Sequence, residues 1–255
     1  MKMHSYFTNH FINQTVIQFF SKSLGHPLNS ITEYSSNNDK VFCSYGILRG
    51  TGEIFKNSPN FIYIDHGYFS SSSRKFNSNK QTLIKELDGY FRVVFNDIYF
   101  NQNFMNYDSK RFDKLSIKVK DLNKSNEYII VSEPTENTLN FLELPNWLDE
   151  TLAEVKKFTD RKIIVHNKFS KIPLKELLKK AHALVSCQST AGFMSIIEGV
   201  PAYFTHKSLS KYGNIDQIEN QNLNHDLLYL AANSQWKLKE FFSDDFKTYV
   251  KNLLN

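Results

Sequence analysis

Lys162-Ile-Ile-Val-His-Asn-Lys168, Pro173-Leu-Lys-Glu-Leu-Leu178, Ala183-Leu-Val-Ser-Cys-Gln-Ser-Thr-Ala-Gly192 and Glu198-Gly-Val-Pro201 decide how this chain is read. They run as strand, helix, strand, polar turn, helix and strand. The polar turn falls where a helix begins. Several backbone N–H groups without intrahelical partners, together with the positive end of the helix, are therefore aimed at whatever anion sits there. A nucleotide diphosphate suits such a place.

Reading outward, the second half is regular. Strand Glu127-Tyr-Ile-Ile-Val131 leads into the turn Ser132-Glu-Pro-Thr135, then a helix from Trp147 to Lys157. Strand 162–165, helix 174–181, strand 183–187, helix 190–198 and strand 202–205 follow, a Rossmann-type succession with short connections. In the first half, Thr15-Val-Ile-Gln-Phe-Phe20 reads as the first strand and Lys40-Val-Phe-Cys-Ser-Tyr45 as the second. The turn Gly46-Ile-Leu-Arg-Gly-Thr-Gly52 then opens a short helix ending near Ser58-Pro59. Phe61-Ile-Tyr-Ile-Asp65 is an almost continuous apolar run, as buried parallel strands are, and stops at Asp65-His66-Gly67-Tyr68. Polar groups at such a carboxyl end face the ligand crevice.

Residues 70–80 read as a polar loop, and Gly89-Tyr-Phe-Arg-Val-Val-Phe-Asn96 alternates like a strand. The Asn-, Asp- and Lys-rich stretch 101–126, with the alternating run Leu115-Ser-Ile-Lys-Val-Lys120, carries the crossover between halves. The last amphipathic patterns, 226–232 and 236–242, close the sheet or fold back over the first half. The expected fold is α/β: two Rossmann-like domains with an interdomain cleft, 1–120 on the acceptor side and 121–255 for the nucleotide sugar.

Composition bounds this reading without deciding it. A chain of 255 residues, 41% hydrophobic, has enough apolar mass for one large core or two modest ones. No apolar run approaches the ~20 residues that cross a bilayer, and Met1-Lys-Met-His-Ser-Tyr lacks a secretory core. A cytoplasmic protein with no membrane span is expected. Cys43 and Cys187 end apolar strands without metal or disulfide spacing and read as packing thiols. The net charge of +5 favours a polyanionic partner only mildly.

Ser189-Thr-Ala-Gly-Phe-Met-Ser-Ile-Ile-Glu-Gly-Val-Pro201 resembles the small-residue turn, helix and Gly-x-Pro ending of nucleotide-sugar glycosyltransferases of the two-Rossmann-domain (GT-B) type, particularly capsule polysaccharide transferases. The resemblance covers roughly residues 125 to 210. Asp65-His66-Gly67-Tyr68 is similar to a motif of phage proteins that transfer sugar in DNA hypermodification. From the first resemblance, Ser189 and Thr190, with Gln188 and Ala191 beside them, contact the donor diphosphate. Gly192 permits close approach, and Gly199 and Pro201 end the helix. Family members often carry a Glu where this chain has Met194, so Glu198 is the only nearby carboxylate for ribose.

Ser132, His166, Asn167 and Lys168 complete the candidate donor set, Lys168 for phosphate and His166 for base or ribose. In the first half, Asp65 and His66 are the catalytic candidates, because transfer to a hydroxyl needs a base or stabilising carboxylate. The alternative is a strand-ending turn in which Asp65 caps the backbone and Gly67 takes positive φ. Arg49, Gly67, Tyr68, Arg74 and Arg92 are candidates for acceptor or phosphate contact. Arg74, Lys75 and Lys80 interleave with Phe69 and Phe76, a composition suited to DNA, although a solvated loop has the same one.

No Asp-x-Asp metal motif occurs, and the reading requires no metal or cofactor beyond a donor substrate, taken as UDP-linked. P-loop, dinucleotide-fingerprint and Gly-x-Ser-x-Gly motifs are absent too. The expected activity is sugar transfer from a nucleotide diphosphate to a hydroxyl, with a hydroxymethylated pyrimidine of DNA as one acceptor. A polysaccharide or small acceptor, or a non-catalytic nucleotide-sugar binder, is the alternative.

Overall fold

The computed structural model describes residues 2–36, 39–70, 87–101 and 108–254. In chain order these form β1 (Lys2–Phe7), α1 (Phe11–Leu24), β2 (Leu28–Ser30), β3 (Lys40–Tyr45), α2 (Thr51–Asn57), β4 (Phe61–His66), β5 (Tyr90–Phe95) and α3 (Lys110–Asp113). Next come β6 (Tyr128–Ser132), α4 (Glu136–Leu142), α5 (Trp147–Val155), β7 (Lys162–His166), α6 (Leu174–Leu178), β8 (Ala181–Ser186), α7 (Thr190–Ile197) and β9 (Ala202–Phe204). The chain ends with α8 (Asp226–Asn233), β10 (Gln235–Lys237) and α9 (Asp244–Leu253). It divides into two compact units, Met1–Tyr107 with Ala231–Asn255, and Asp108–Leu230.

The first unit holds a mixed six-stranded sheet in the order β10-β5-β4-β3-β1-β2. The first four strands in sequence are parallel, while β5 runs antiparallel to β4 and β10 antiparallel to β5. The expected strand at 15–20 is instead the middle of α1. Its β-branched and aromatic residues suit a strand, but the buried positions Ile12, Val16, Ile17 and Phe20 recur at helical spacing and pack on Cys43, Ile62 and Ile64. The true first strand is the N-terminal Lys2–Phe7. The terminal segment folds back over the first half: Trp236, Phe241, Phe246 and Tyr249 join the same core, so 231–255 groups with the first unit although the expected boundary put it in the second.

In this sheet the chain leaves β1 toward β2 and then crosses to β3, so the switch point lies between the carboxyl ends of β1 and β3. Asn13 ties it together. The buried Asn13 carbonyl oxygen accepts from the Thr8 N–H at 2.8 Å, and its amide donates to the Tyr45 carbonyl at 2.8 Å. Asn13→Ala is expected to cost about 2 kcal/mol, because two buried backbone groups lose their partners. A denaturation midpoint unchanged from wild type would refute this.

The second unit holds a four-stranded parallel sheet ordered β7-β6-β8-β9. One face packs Ile129, Val131, Ala183 and Val185 against Trp147 and Val155 of α5; the other packs Ile130 and Leu184 against Leu177 and Leu178 of α6 and against Val200. The alternating run 115–120 is no strand. It belongs to a segment laid along the end of α7, where the Lys120 amide bonds the Ile197 carbonyl and the Asn123 amide the Gly199 carbonyl.

Candidate functional site

The second sheet also reverses. From β6 the chain passes to β7 on one side, then crosses to β8 and β9 on the other, placing its switch point between the carboxyl ends of β6 and β8. Ser132, Glu133, Pro134 and Thr135 leave β6 there, and Cys187, Gln188, Ser189 and Thr190 leave β8. Four of the expected donor residues, Ser132, Gln188, Ser189 and Thr190, thus stand at the strand ends that flank this switch point.

Ser189 is extended at the N-cap of α7, and its hydroxyl accepts from the Ala191 amide at 3.2 Å while meeting the Ser186 hydroxyl at 2.9 Å. Thr190 opens the helix exposed to solvent. Behind it, Gln188 is only 4% exposed, and among the described residues neither its Oε1 nor its Nε2 has a partner. Leaving such a group unsatisfied costs about 1–3 kcal/mol, a cost that a bound ligand or water would remove.

Across β6, His166 Nε2 lies 3.2 Å from the Ile172 carbonyl, and the Asn167 amide donates to Glu133 Oε2 at 3.0 Å. Lys168 is exposed with its ammonium 4.9 Å from the Phe169 ring centroid. Because β7 and β8 flank β6, these residues stand roughly 10 Å from Ser186, a span within reach of a nucleotide. Glu133 was missed by the sequence reading. Its only signal was a carboxylate directly after a strand and before a proline.

Two expected donor residues do other work. A Cβ on Gly192 would come within 2.5 Å of the Phe204 ring, so its missing side chain lets α7 lie against β9 rather than admitting a ligand. Glu198 sits at the opposite end of α7 from Ser189, about 12 Å along the helix, and its 10% exposed side chain is held by Lys120 and Lys175. Burial pushes its carboxyl up, but the hydrogen bonds from the two lysines outweigh this and leave it below the usual value. Ribose recognition by Glu198 is corrected to a brace between α6, α7 and the 118–124 segment.

The first-half candidates are corrected more sharply. Asp65 and His66 are neighbours on β4, so their side chains leave opposite faces of the sheet and cannot act as a pair. Asp65 lies directly across from Arg92 of β5. Its carboxylate accepts from Tyr63 Oη at 2.5 Å, the His66 amide at 2.8 Å and Arg92 Nη2 at 3.2 Å. Burial raises its pKa, yet the Arg92 guanidinium and these donors prevail and hold the carboxyl below its ordinary value. A carboxylate so committed is a poor proton acceptor. His66 stacks on Phe91 and meets Tyr45 edge-on in the opposite core.

Arg92 is buried, with its guanidinium 4.8 to 5.8 Å from the Tyr99, Tyr63 and Tyr68 ring centroids, a structural cage rather than an acceptor contact. Tyr68 is buried and donates to the Tyr99 carbonyl. Gly67 does not take positive φ; a Cβ there would meet Tyr90 and Gln235 at 2.8 to 2.9 Å. Phe69, expected to stack on bases, is buried. Arg74, Lys75, Phe76 and Lys80 lie outside the described residues. Arg49 is exposed, at positive φ in the turn after β3. Among the described residues no cluster of His, Cys, Asp and Glu is arranged to hold a metal, and no helix is long and apolar enough to cross a membrane. Cys43 and Cys187 are buried thiols, burial pushing Cys187 up to about 11.

No family model and no curated protein matches the chain. Among solved structures it is similar to the Thermosulfurimonas dismutans KpsC beta Kdo 2,4 transferase, with a TM-score of 0.52, 11% identity and coverage of 92% of this chain and 90% of the other. It is likewise similar to the beta Kdo 2,7 transferase of KpsC from that organism, with a TM-score of 0.51, 12% identity and coverage of 98% and 100%. At these identities the likeness establishes a shared fold: mixed α/β, built on two sheets.

Proposed function

We propose that the protein is a glycosyltransferase that takes a sugar from a nucleotide donor held at the β6/β8 crevice and passes it to a hydroxyl acceptor. The observation that carries this reading is the start of α7: a solvent-facing Thr190, a Ser189 cap and an unsatisfied Gln188 amide at the switch point of a parallel sheet. Donor phosphates would accept from the amides and hydroxyls there, with His166, Asn167 and Lys168 toward the nucleoside. The fold relatives are named for Kdo transfer, which makes an activated Kdo donor the first to test beside UDP-linked sugars.

A nucleotide present at 100 times its Kd is expected to stabilise the protein by about 2.7 kcal/mol. Ser189→Val with Thr190→Leu should abolish that gain relative to its own unliganded form while the fold survives. If stabilisation persists in the double variant, the donor lies elsewhere. Since Asp65 is committed to Arg92, a nucleotide-sugar binder without turnover is the second reading. Stabilisation by nucleotide with no donor hydrolysis or transfer would favour it.

A further inference from the structure

Beside the proposed donor residues His166, Asn167 and Lys168, the loop joining β7 to α6 carries two apolar side chains that neither packing nor sugar transfer uses. Phe169 is 81% exposed and Ile172 54% exposed, although both are large and apolar. The loop does not depend on them for its shape. Asn167 Oδ1 accepts from the Phe169 amide at 3.0 Å, Ser170 Oγ accepts from the Asn167 amide at 2.9 Å, and the Ser170 amide closes a turn onto the Asn167 carbonyl at 3.0 Å. Pro173 then fixes the entry to α6. Single exposed apolar residues are common on protein surfaces. Two within four residues on a self-braced tip, alternating with lysines as Lys168-Phe-Ser-Lys171-Ile, are a different matter.

Charge identifies the occupant. Residues 162–180 contain Lys162, Lys168, Lys171, Lys175, Lys179 and Lys180 against the single acid Glu176. Lys175 and Lys179 pair with Glu198 and Glu176, and Lys180 with Glu127, but among the described residues neither Lys168 nor Lys171 has a carboxylate partner. The neighbouring acids are Glu133, already bonded to Asn167, and Glu136 across the adjacent pocket. A second copy of the chain docked here about a two-fold axis would set lysine against lysine. Cationic groups interleaved with apolar ones, on a protruding tip, match the interface of a bilayer bearing anionic lipids.

We propose that this loop docks the protein reversibly on an anionic membrane surface, Phe169 and Ile172 entering the headgroup region while Lys171 meets lipid phosphates. The docking does not depend on the sugar-transfer reading. A single loop of this size gives weak attachment, so the test uses excess lipid. The full-length chain should co-sediment with vesicles of phosphatidylcholine plus phosphatidylglycerol, not with phosphatidylcholine alone, and added salt should weaken retention.

Phe169→Ser with Ile172→Ser should reduce binding by at least about tenfold, and Lys171→Ser by roughly fivefold, each without change in the thermal unfolding curve. Phe169→Trp adds an exposed indole to a chain whose Trp147 and Trp236 are each only 4% exposed. Its emission should shift to the blue on anionic vesicles. Absence of retention on anionic vesicles, or equal retention by the double serine variant, would overturn the proposal. So would self-association that the double variant abolishes while neither protein binds lipid.

Discussion

Asp65→Ala is expected to destabilise the first unit by about 3–5 kcal/mol, because it strands the buried Arg92 guanidinium without its counter-charge. That is a large share of the 5–15 kcal/mol by which a typical domain is stable. Trp236 lies in the first unit's core and Trp147 in the second's, so a Trp147→Phe background isolates the signal of the affected unit. Replacing both partners, Asp65→Leu with Arg92→Met, should recover much of the loss, since it removes the desolvation cost along with the attraction.

The pH dependence follows from the same pair. The Asp65 carboxyl is held below its usual 3.8, so its contribution is fully present above that value and is lost as pH falls through the lower, folded-state value. The wild type should therefore lose stability below about pH 4 more steeply than the double replacement. An Asp65→Asn protein that stayed as stable as wild type but no longer transferred sugar would return Asp65 to the reaction.

Gly199→Ala is expected to cost the second unit about 3–4 kcal/mol. Gly199 has φ +81°, which an L side chain adopts at a cost of about 1–2 kcal/mol. Its Cβ would also sit 2.1 Å from the Asp121 carbonyl oxygen, a backbone atom that moves only with its segment. Displacing that segment breaks the Asn123 bond to Gly199 at 2.7 Å and the Lys120 bond to Ile197 at 2.9 Å, each worth about 1 kcal/mol. Gly25→Ala is the control: its φ is +69° but nothing lies within 4 Å, so only the conformational cost should appear. Equal losses at both positions would show that the 118–124 segment yields freely.

The second unit was readable because its parallel strands are continuous apolar runs separated by short helices, and each motif there is local. The crevice residues 132, 166–168 and 188–191 follow strand ends, which sequence marks well. The first unit was less legible. Thr15 to Phe20 has strand-forming residues on a helical period, and composition outweighed spacing in the reading. That Asp65 and His66 point apart was already implied by the two-residue repeat of a strand. The Asp65–Arg92 pair was not implied, because its register is set by antiparallel pairing across a long connection. Gly199 against Asp121 joins segments 78 residues apart, and nothing local announces it.

The return of the chain to its first sheet bears on how the protein is made. Every strand of the second unit has been synthesised once residue 204 is added, whereas β5, already beside β4, waits for residues 235–237 to gain its second neighbour. The half translated first is completed last, reversing the usual order of vectorial folding. Removing residues 231–255 should be felt in the sheet begun by residues 2–7, while the crevice near Ser189 assembles regardless.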